Sequence, residues 1–185
     1  MSFYPIDLSQ YCNHKLVYSG VQEGDDDSVG LDGEYIDEKD LKIKPNDEIG
    51  GVPFRFVFGD FDNVQCDGQT IKVDQFANRL HVLGFAYWGD TFDVVRIRYC
   101  DGAEEPLKIP FIDWAHKASE DYRDRAFFGK NIFSARYMIT SGKGDHLACL
   151  HHCILDLAGN SAIEEIILPD NLFLHVTAIT LEKNN

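Results

Sequence analysis

The residues in this sequence best suited to binding chemistry are aromatic. Tyr87, Trp88 and Phe92 crowd the stretch Tyr87-Trp-Gly-Asp-Thr-Phe92, and Trp114 precedes His116, Tyr122, Arg123 and Arg125. Apolar ring faces stack on the apolar faces of pyranoses, while a few polar groups orient the hydroxyls. Tyr87, Trp88, Phe92, Trp114, His116, Tyr122 and Arg125 are therefore the candidate carbohydrate-binding residues, provided the two segments share one end of the fold. The competing reading is that Trp88 and Trp114 are core or edge-covering residues, as tryptophans commonly are.

Three other groups bear on chemistry. Asp25, Asp26 and Asp27, with Asp32 and Glu34, offer oxygen ligands for a structural calcium, the one candidate cofactor. Calcium takes six to eight oxygens, but the spacing lacks the D-x-D-x-D-G order, and consecutive aspartates diverge. A solvated acidic loop is the alternative for Asp25, Asp27, Asp32 and Glu34. The segment holding His146, Cys149, His151, His152 and Cys153 invites a zinc reading. On an extended strand, however, Cys149 and Cys153 stand roughly 13 Å apart, too far for one zinc or for a disulfide. Carboxylate pairs suited to glycoside hydrolysis carry no weight, because 31 Asp and Glu make chance pairs easy to find. Neither a G-x-S-x-G elbow, an H-E-x-x-H helix nor a phosphate-cradling glycine loop occurs, so no catalytic residue is assigned.

The elements that must position these residues are strands. Short alternating or apolar runs recur between Gly, Asp and Asn clusters, and helical periodicity is nearly absent. Strands are expected over Val52–Phe58, Thr70–Val73, Arg79–Ala86, Asp93–Tyr99, Leu107–Pro110, Ile132–Thr140, Leu147–Leu157, Ala162–Leu168 and Leu174–Leu181. Asp67-Gly68 and Asp101-Gly102 are turn dipeptides, and Pro169-Asp170-Asn171 reads as the loop before the last strand. Phe54, Phe56 and Phe58 fall on one face of an extended strand and are expected in the core. A short turn of helix fits Ile36–Leu41, Gly24–Gly30 reads as a surface loop, and Ala115–Phe128 as a long ordered loop.

With 185 residues the chain suits one domain, an all-β two-sheet antiparallel sandwich with little helix. Its net charge of −14 repels nucleic-acid backbones and anionic membranes, and no apolar run is long enough for a membrane helix. Five cysteines, an odd number, and no basic-then-apolar leader suggest free thiols in a reducing cytoplasm. An extracellular setting fits if the chain is a fragment of a longer protein.

Several motifs occur in a recognisable order. Ile6-Asp-Leu-Ser-Gln-Tyr11 is followed by Gly51-Val-Pro-Phe-Arg-Phe56, Asp62-Asn-Val64, Asp67-Gly-Gln-Thr-Ile71 and Leu80-His-Val-Leu-Gly84. Then come Val95-Arg-Ile-Arg-Tyr99, Phe111-Ile-Asp-Trp114, Ile167-Leu-Pro-Asp-Asn171 and Leu174-His-Val-Thr-Ala178. The series resembles the jelly-roll accessory modules of bacterial glycoside hydrolases, which are similar to carbohydrate-binding modules. That resemblance implies a jelly-roll sandwich that docks an enzyme on a glycan or packs against a catalytic domain. Three functions follow as expectations. The first is a non-catalytic carbohydrate-binding or accessory domain, with a glycan or a glycoside hydrolase as partner. The second is a structural module that associates into a homo-oligomer, and the third is a cryptic glycan-active hydrolase.

Overall fold

A computed structural model describes residues 1–20, 29–41, 43–116, 137–140 and 147–184. Fifteen strands are described: β1 Ser2–Pro5, β2 Val17–Tyr18, β3 Ile36–Asp37, β4 Asn46–Ile49, β5 Val52–Arg55, β6 Val64–Asp67, β7 Thr70–Gln75 and β8 Arg79–Ala86, then β9 Thr91–Tyr99, β10 Glu104–Phe111, β11 Ala115–His116, β12 Tyr137–Thr140, β13 Leu147–Asp156, β14 Ile163–Ile167 and β15 Asp170–Lys183. One 3₁₀ turn, Glu38–Asp40, falls within the short helical turn expected there.

Two antiparallel sheets form a β-sandwich. The smaller has the order β10-β9-β14-β7; the larger runs β1-β15-β8-β13-β11, with β6 also on β15 and β12 on β13. From β6 to β9 and again from β13 to β15 successive strands lie in alternate sheets, while β9–β10 and β11–β13 each stay within one. Residues of β9 explain the smaller sheet. Val95, Ile97 and Tyr99 are buried while Val94 and Arg96 face solvent, the period of two that one covered face requires. At its end Gly102, with φ +86°, closes the turn to β10, where an L side chain would be strained.

The larger sheet is covered on both faces, so Leu80 to Ala86 of β8 are buried without alternation. Leu80, Val82, Ile179 and Leu181 pack with Val95, Ile97, Ile109 and Ile166 of the smaller sheet. On the opposite face Leu83, Phe85 and Ala178 pack with Leu16, Ile36, Phe54, Phe56 and Trp114. The β4–β5 hairpin forms part of that outer layer; its turn, Gly50-Gly51, has φ of +63° and +81°, the paired left-handed conformations of a tight hairpin.

Three expectations change. Phe54 and Phe56 are in the core, but Phe58 is 39% exposed because β5 ends at Arg55 and the alternation stops with it. Asp170 and Asn171 are not loop: β15 begins at Asp170, opposite Asp67 of β6, and the link between the last two strands crosses from one sheet to the other. Ala115 and His116 form a strand against Ala148 and Leu147 rather than the start of a loop. Residues 117–128, 132–136 and 24–28 of the expected loops and strand lie outside the described residues.

Candidate functional site

The connection from β8 to β9 crosses between the sheets at one end of the sandwich, and it carries Trp88. The indole is 74% exposed, although the backbone of Trp88 lies in the left-handed region at φ +70°. A bulky residue there stores strain that the surroundings must hold. They do so through hydrogen bonds. The Gly89 amide donates to Asp113 Oδ2, the Asp113 amide donates to Asp90 Oδ1 at 2.9 Å, and the Tyr87 amide donates to the Phe173 carbonyl at 2.8 Å. Tyr87 Oη donates to Asp32 Oδ2 at 2.6 Å. Burial pushes the Tyr87 phenol up to about 12, and the Asp32 carboxylate adds to the shift, so the hydroxyl stays a donor. Exposed Leu172 and Phe173 lie on the strand that this loop touches.

The two aromatic segments do meet, through Asp113, but among the described residues Trp88 and Trp114 do not stand side by side in a groove. Trp114 is 2% exposed and lies against Phe85, ring centroids 5.8 Å apart. Its amide donates to the Ala86 carbonyl and its carbonyl accepts from the Cys149 amide, which seats it between β8 and β13 and turns the ring into the outer core. Trp114 is therefore a core residue and not a stacking platform. Phe92 is 51% exposed, with Lys108 Nζ 3.5 Å above its ring. The His116 backbone lies in β11, and Tyr122 and Arg125 lie outside the described residues. Of the calcium candidates, Asp32 accepts the Tyr87 bond and Glu34 turns the chain back on Leu31, while Asp25 and Asp27 lie outside the described residues. Among the described residues no three His, Cys, Asp or Glu side chains are grouped so as to hold a metal ion.

Two buried polar networks lie apart from the candidate carbohydrate and calcium residues, and one of them includes His152 of the segment considered for zinc. Asp62 clasps the N-terminal segment: its carboxylate accepts from the amides of Leu16 at 3.0 Å and Val17 at 2.7 Å, and from Asn63 Nδ2 at 2.8 Å. Burial raises this carboxyl above the ordinary range, and the hydrogen bonds from Val17, Asn63 and Leu16 oppose that shift. Asn63 Oδ1 stands 2.8 Å from His175 Nδ1, and His175 stacks on Phe85 with centroids 4.8 Å apart. The second network joins Glu182, His81 and His152. His81 Nε2 is 2.8 Å from Glu182 Oε2, and His81 Nδ1 is 3.0 Å from His152 Nε2. The carboxylate assigns the proton to His81 Nε2, so His81 Nδ1 accepts from His152 and His152 Nδ1 is left as a buried acceptor. All three are 3% exposed or less, and the carboxylate end of the chain pairs with the partly exposed Arg79, whose Nη1 stands 3.5 Å from Glu182 Oε1. The available signal was a histidine inside an apolar strand, as in Leu80-His-Val-Leu and Leu174-His-Val, where a buried polar group needs a partner.

Residues 44–185, which include both sheets apart from β1, match the family model of the AziU2-like beta-sandwich domain. The chain belongs to the AziU2-like beta-sandwich domain family. A search of the curated proteins gives no match. The Trp88 loop and the Glu182–His81–His152 chain lie wholly within the AziU2-like stretch, whereas the segment clasped by Asp62 precedes it. Membership of the AziU2-like family establishes a β-sandwich domain, the coarser part of the resemblance drawn from the motifs.

Proposed function

We propose that this protein is a non-catalytic carbohydrate-binding domain, an accessory to glycan-active proteins, with Trp88 as its stacking platform. The observation that carries the reading is an indole 74% exposed on a strained backbone held by hydrogen bonds from three directions. Strain of this kind is retained where the side chain has a use outside the fold. A solvent-facing indole supplies the flat apolar surface that a pyranose ring covers, and the neighbouring carboxylate of exposed Asp90 can accept sugar hydroxyls. A glycan array followed by calorimetry with the retained sugar tests the reading. Wild type is expected to bind, and Trp88→Ala to lose binding with its melting temperature unchanged. Equal binding by Trp88→Ala, or no retained glycan on a broad array, overturns it.

A second reading, a self-associating module, is favoured by the exposed Leu172 and Phe173 beside the loop. In that case sedimentation would show an oligomer that Trp88→Ala dissociates, without any sugar phenotype.

A further inference from the structure

The outer face of the larger sheet buries a titratable pair beneath an element outside its ladders. His81 Nε2 donates to Glu182 Oε2, and His81 Nδ1 shares one hydrogen bond with His152 Nε2. Two neutral rings carry two ring protons, one toward Glu182 and one between the rings. A third proton has one place left, His152 Nδ1, whichever ring carries the charge. That nitrogen is buried and has no hydrogen-bond partner among the described residues. An imidazolium N–H placed there needs water. Of the charged groups nearby, His81 acts on His152 and opposes its protonation; Glu182 favours a proton on His81 and Arg79 opposes it. Asp156 pairs with Arg79, and His151 lies on the opposite face of β13 by the alternation of the strand.

The cover over the pair is aromatic. Phe54 of β5 stands edge-on to His152 with centroids 5.3 Å apart, and Phe3 of β1 stands edge-on to His81 at 6.1 Å. The charged residues of the hairpin are engaged elsewhere: Asp47, opposite Phe54, accepts from the Lys44 and Glu48 amides, and Arg55 pairs with Asp7 at 2.9 Å. β4 and β5 form a two-stranded sheet of their own, whereas β13, β8 and β15 are laddered to one another. What ties the hairpin down is the packing of Val52 and Phe54, the Thr180 Oγ1 bond to the Pro53 carbonyl at 2.6 Å and the exposed Arg55–Asp7 pair. We propose that the β4–β5 hairpin is an acid-released cover: when the histidine pair takes a third proton, the hairpin lifts as a unit. Water then reaches His152 Nδ1, the apolar face of Leu83, Phe85 and Ala178 is uncovered, and the sandwich beneath stays folded. Burial, which holds His152 down to about 4, acts in the same direction: once uncovered, the ring returns toward its ordinary value near 6.5, and between the two the lifted form gains as pH falls. This device does not depend on the carbohydrate reading.

Amide hydrogen exchange of the full chain at pH 7 and pH 5, corrected for intrinsic rates, tests the cover. Protection at Ile49, Val52 and Phe54 is expected to fall at least about tenfold between the two, with little dependence on low concentrations of urea. Val95 and Ile97 in β9 should stay more protected at both pH values, with the steep urea dependence of global unfolding. His152→Gln, checked for a native amide spectrum, should hold hairpin protection nearly constant over that range. In wild type, the ring resonances of His152 should titrate together with the loss of hairpin protection, a readout that needs no variant. The proposal is overturned if hairpin and β9 amides lose protection in parallel with equal urea dependence. It is equally overturned if hairpin protection does not change with pH, if it falls in His152→Gln as in wild type, or if His152 titrates without it.

Discussion

Trp88 and Trp114 are chemically alike and have opposite fates, and the difference lies in their backbones. Trp114 continues a hydrogen-bonded strip beside β8, so its side chain must enter a core; Trp88 sits where the chain reverses and its side chain is expelled. Trp114→Ala should cost about 3–5 kcal/mol in urea unfolding, the usual penalty for emptying a large aromatic site. Trp88→Gly should instead stabilise by about 0.5–1 kcal/mol. Relief of left-handed strain, about 1–2 kcal/mol, exceeds the extra freedom glycine gives the unfolded chain. The buried histidines set the response to acid. Burial holds the His152 imidazole down to about 4 and His175 to about 3. Below about pH 6.5 the unfolded chain takes protons that the folded histidines refuse. Their contribution is complete above that pH and is lost as pH falls toward 4 and then 3, by up to about 1.4 kcal/mol per pH unit for each group. His14 and His81 are also lowered and act in the same sense, whereas Asp62, with its carboxyl raised, acts in the opposite one. Urea midpoints at pH 7 and pH 4.5 should therefore differ, and His152→Gln should narrow the gap.

At the scale of elements, most strands were readable because burial on one face leaves a period of two, as in β9. The alternation is legible wherever solvent covers one side. It fails on β8 and β15, which are enclosed on both. On β15 Leu174 and Val176 face the inner core, yet so do Ile179 and Leu181, an even set followed by an odd one. The register shift between Val176 and Ala178 makes the change, with Thr177 Oγ1 donating to the Leu83 carbonyl at 3.1 Å. No residue type at that position announces a bulge. The β4–β5 hairpin was missed because Asn46-Asp-Glu-Ile49 is too polar to read as a strand, although Gly50-Gly51 marked its turn. Likewise the exposed aromatic loop was legible as a composition, but the inward rotation of Trp114 depends on Cys149, 35 residues away. Packing also dictates Gly84. A Cβ there would stand 2.4 Å from both the His175 carbonyl and the Phe111 ring. Gly84→Ala should therefore destabilise by about 1–3 kcal/mol, measured by the denaturation midpoint at unchanged m-value.

Over the whole molecule, charge acts at the longest range. A net −14 makes the folded state repel itself, and salt relieves this. The melting temperature should rise between roughly 10 mM and 150 mM sodium chloride, where the screening length falls from about 30 Å to about 8 Å. The outer face of the smaller sheet is an exception to the acidity. Glu104, Arg98, Glu165 and Lys72 stand in one row across its strands with alternating sign, so that face carries little of the excess.

The pairing of β1 with β15 sets Ser2 opposite Lys183 and Pro5 opposite Thr180. A pull applied through Ser2 and Lys183 would load the ladder one rung at a time instead of all rungs together. β1 should peel away like a zip, followed by the Ile6–Ile179 bond, until tension reaches the segment that Asp62 and Asn63 hold. The molecule is mechanically soft at that edge and stiffens at the clasp. In an optical trap this should give a low-force extension of the first few residues before the main rupture, with Asp62→Ala merging the two events.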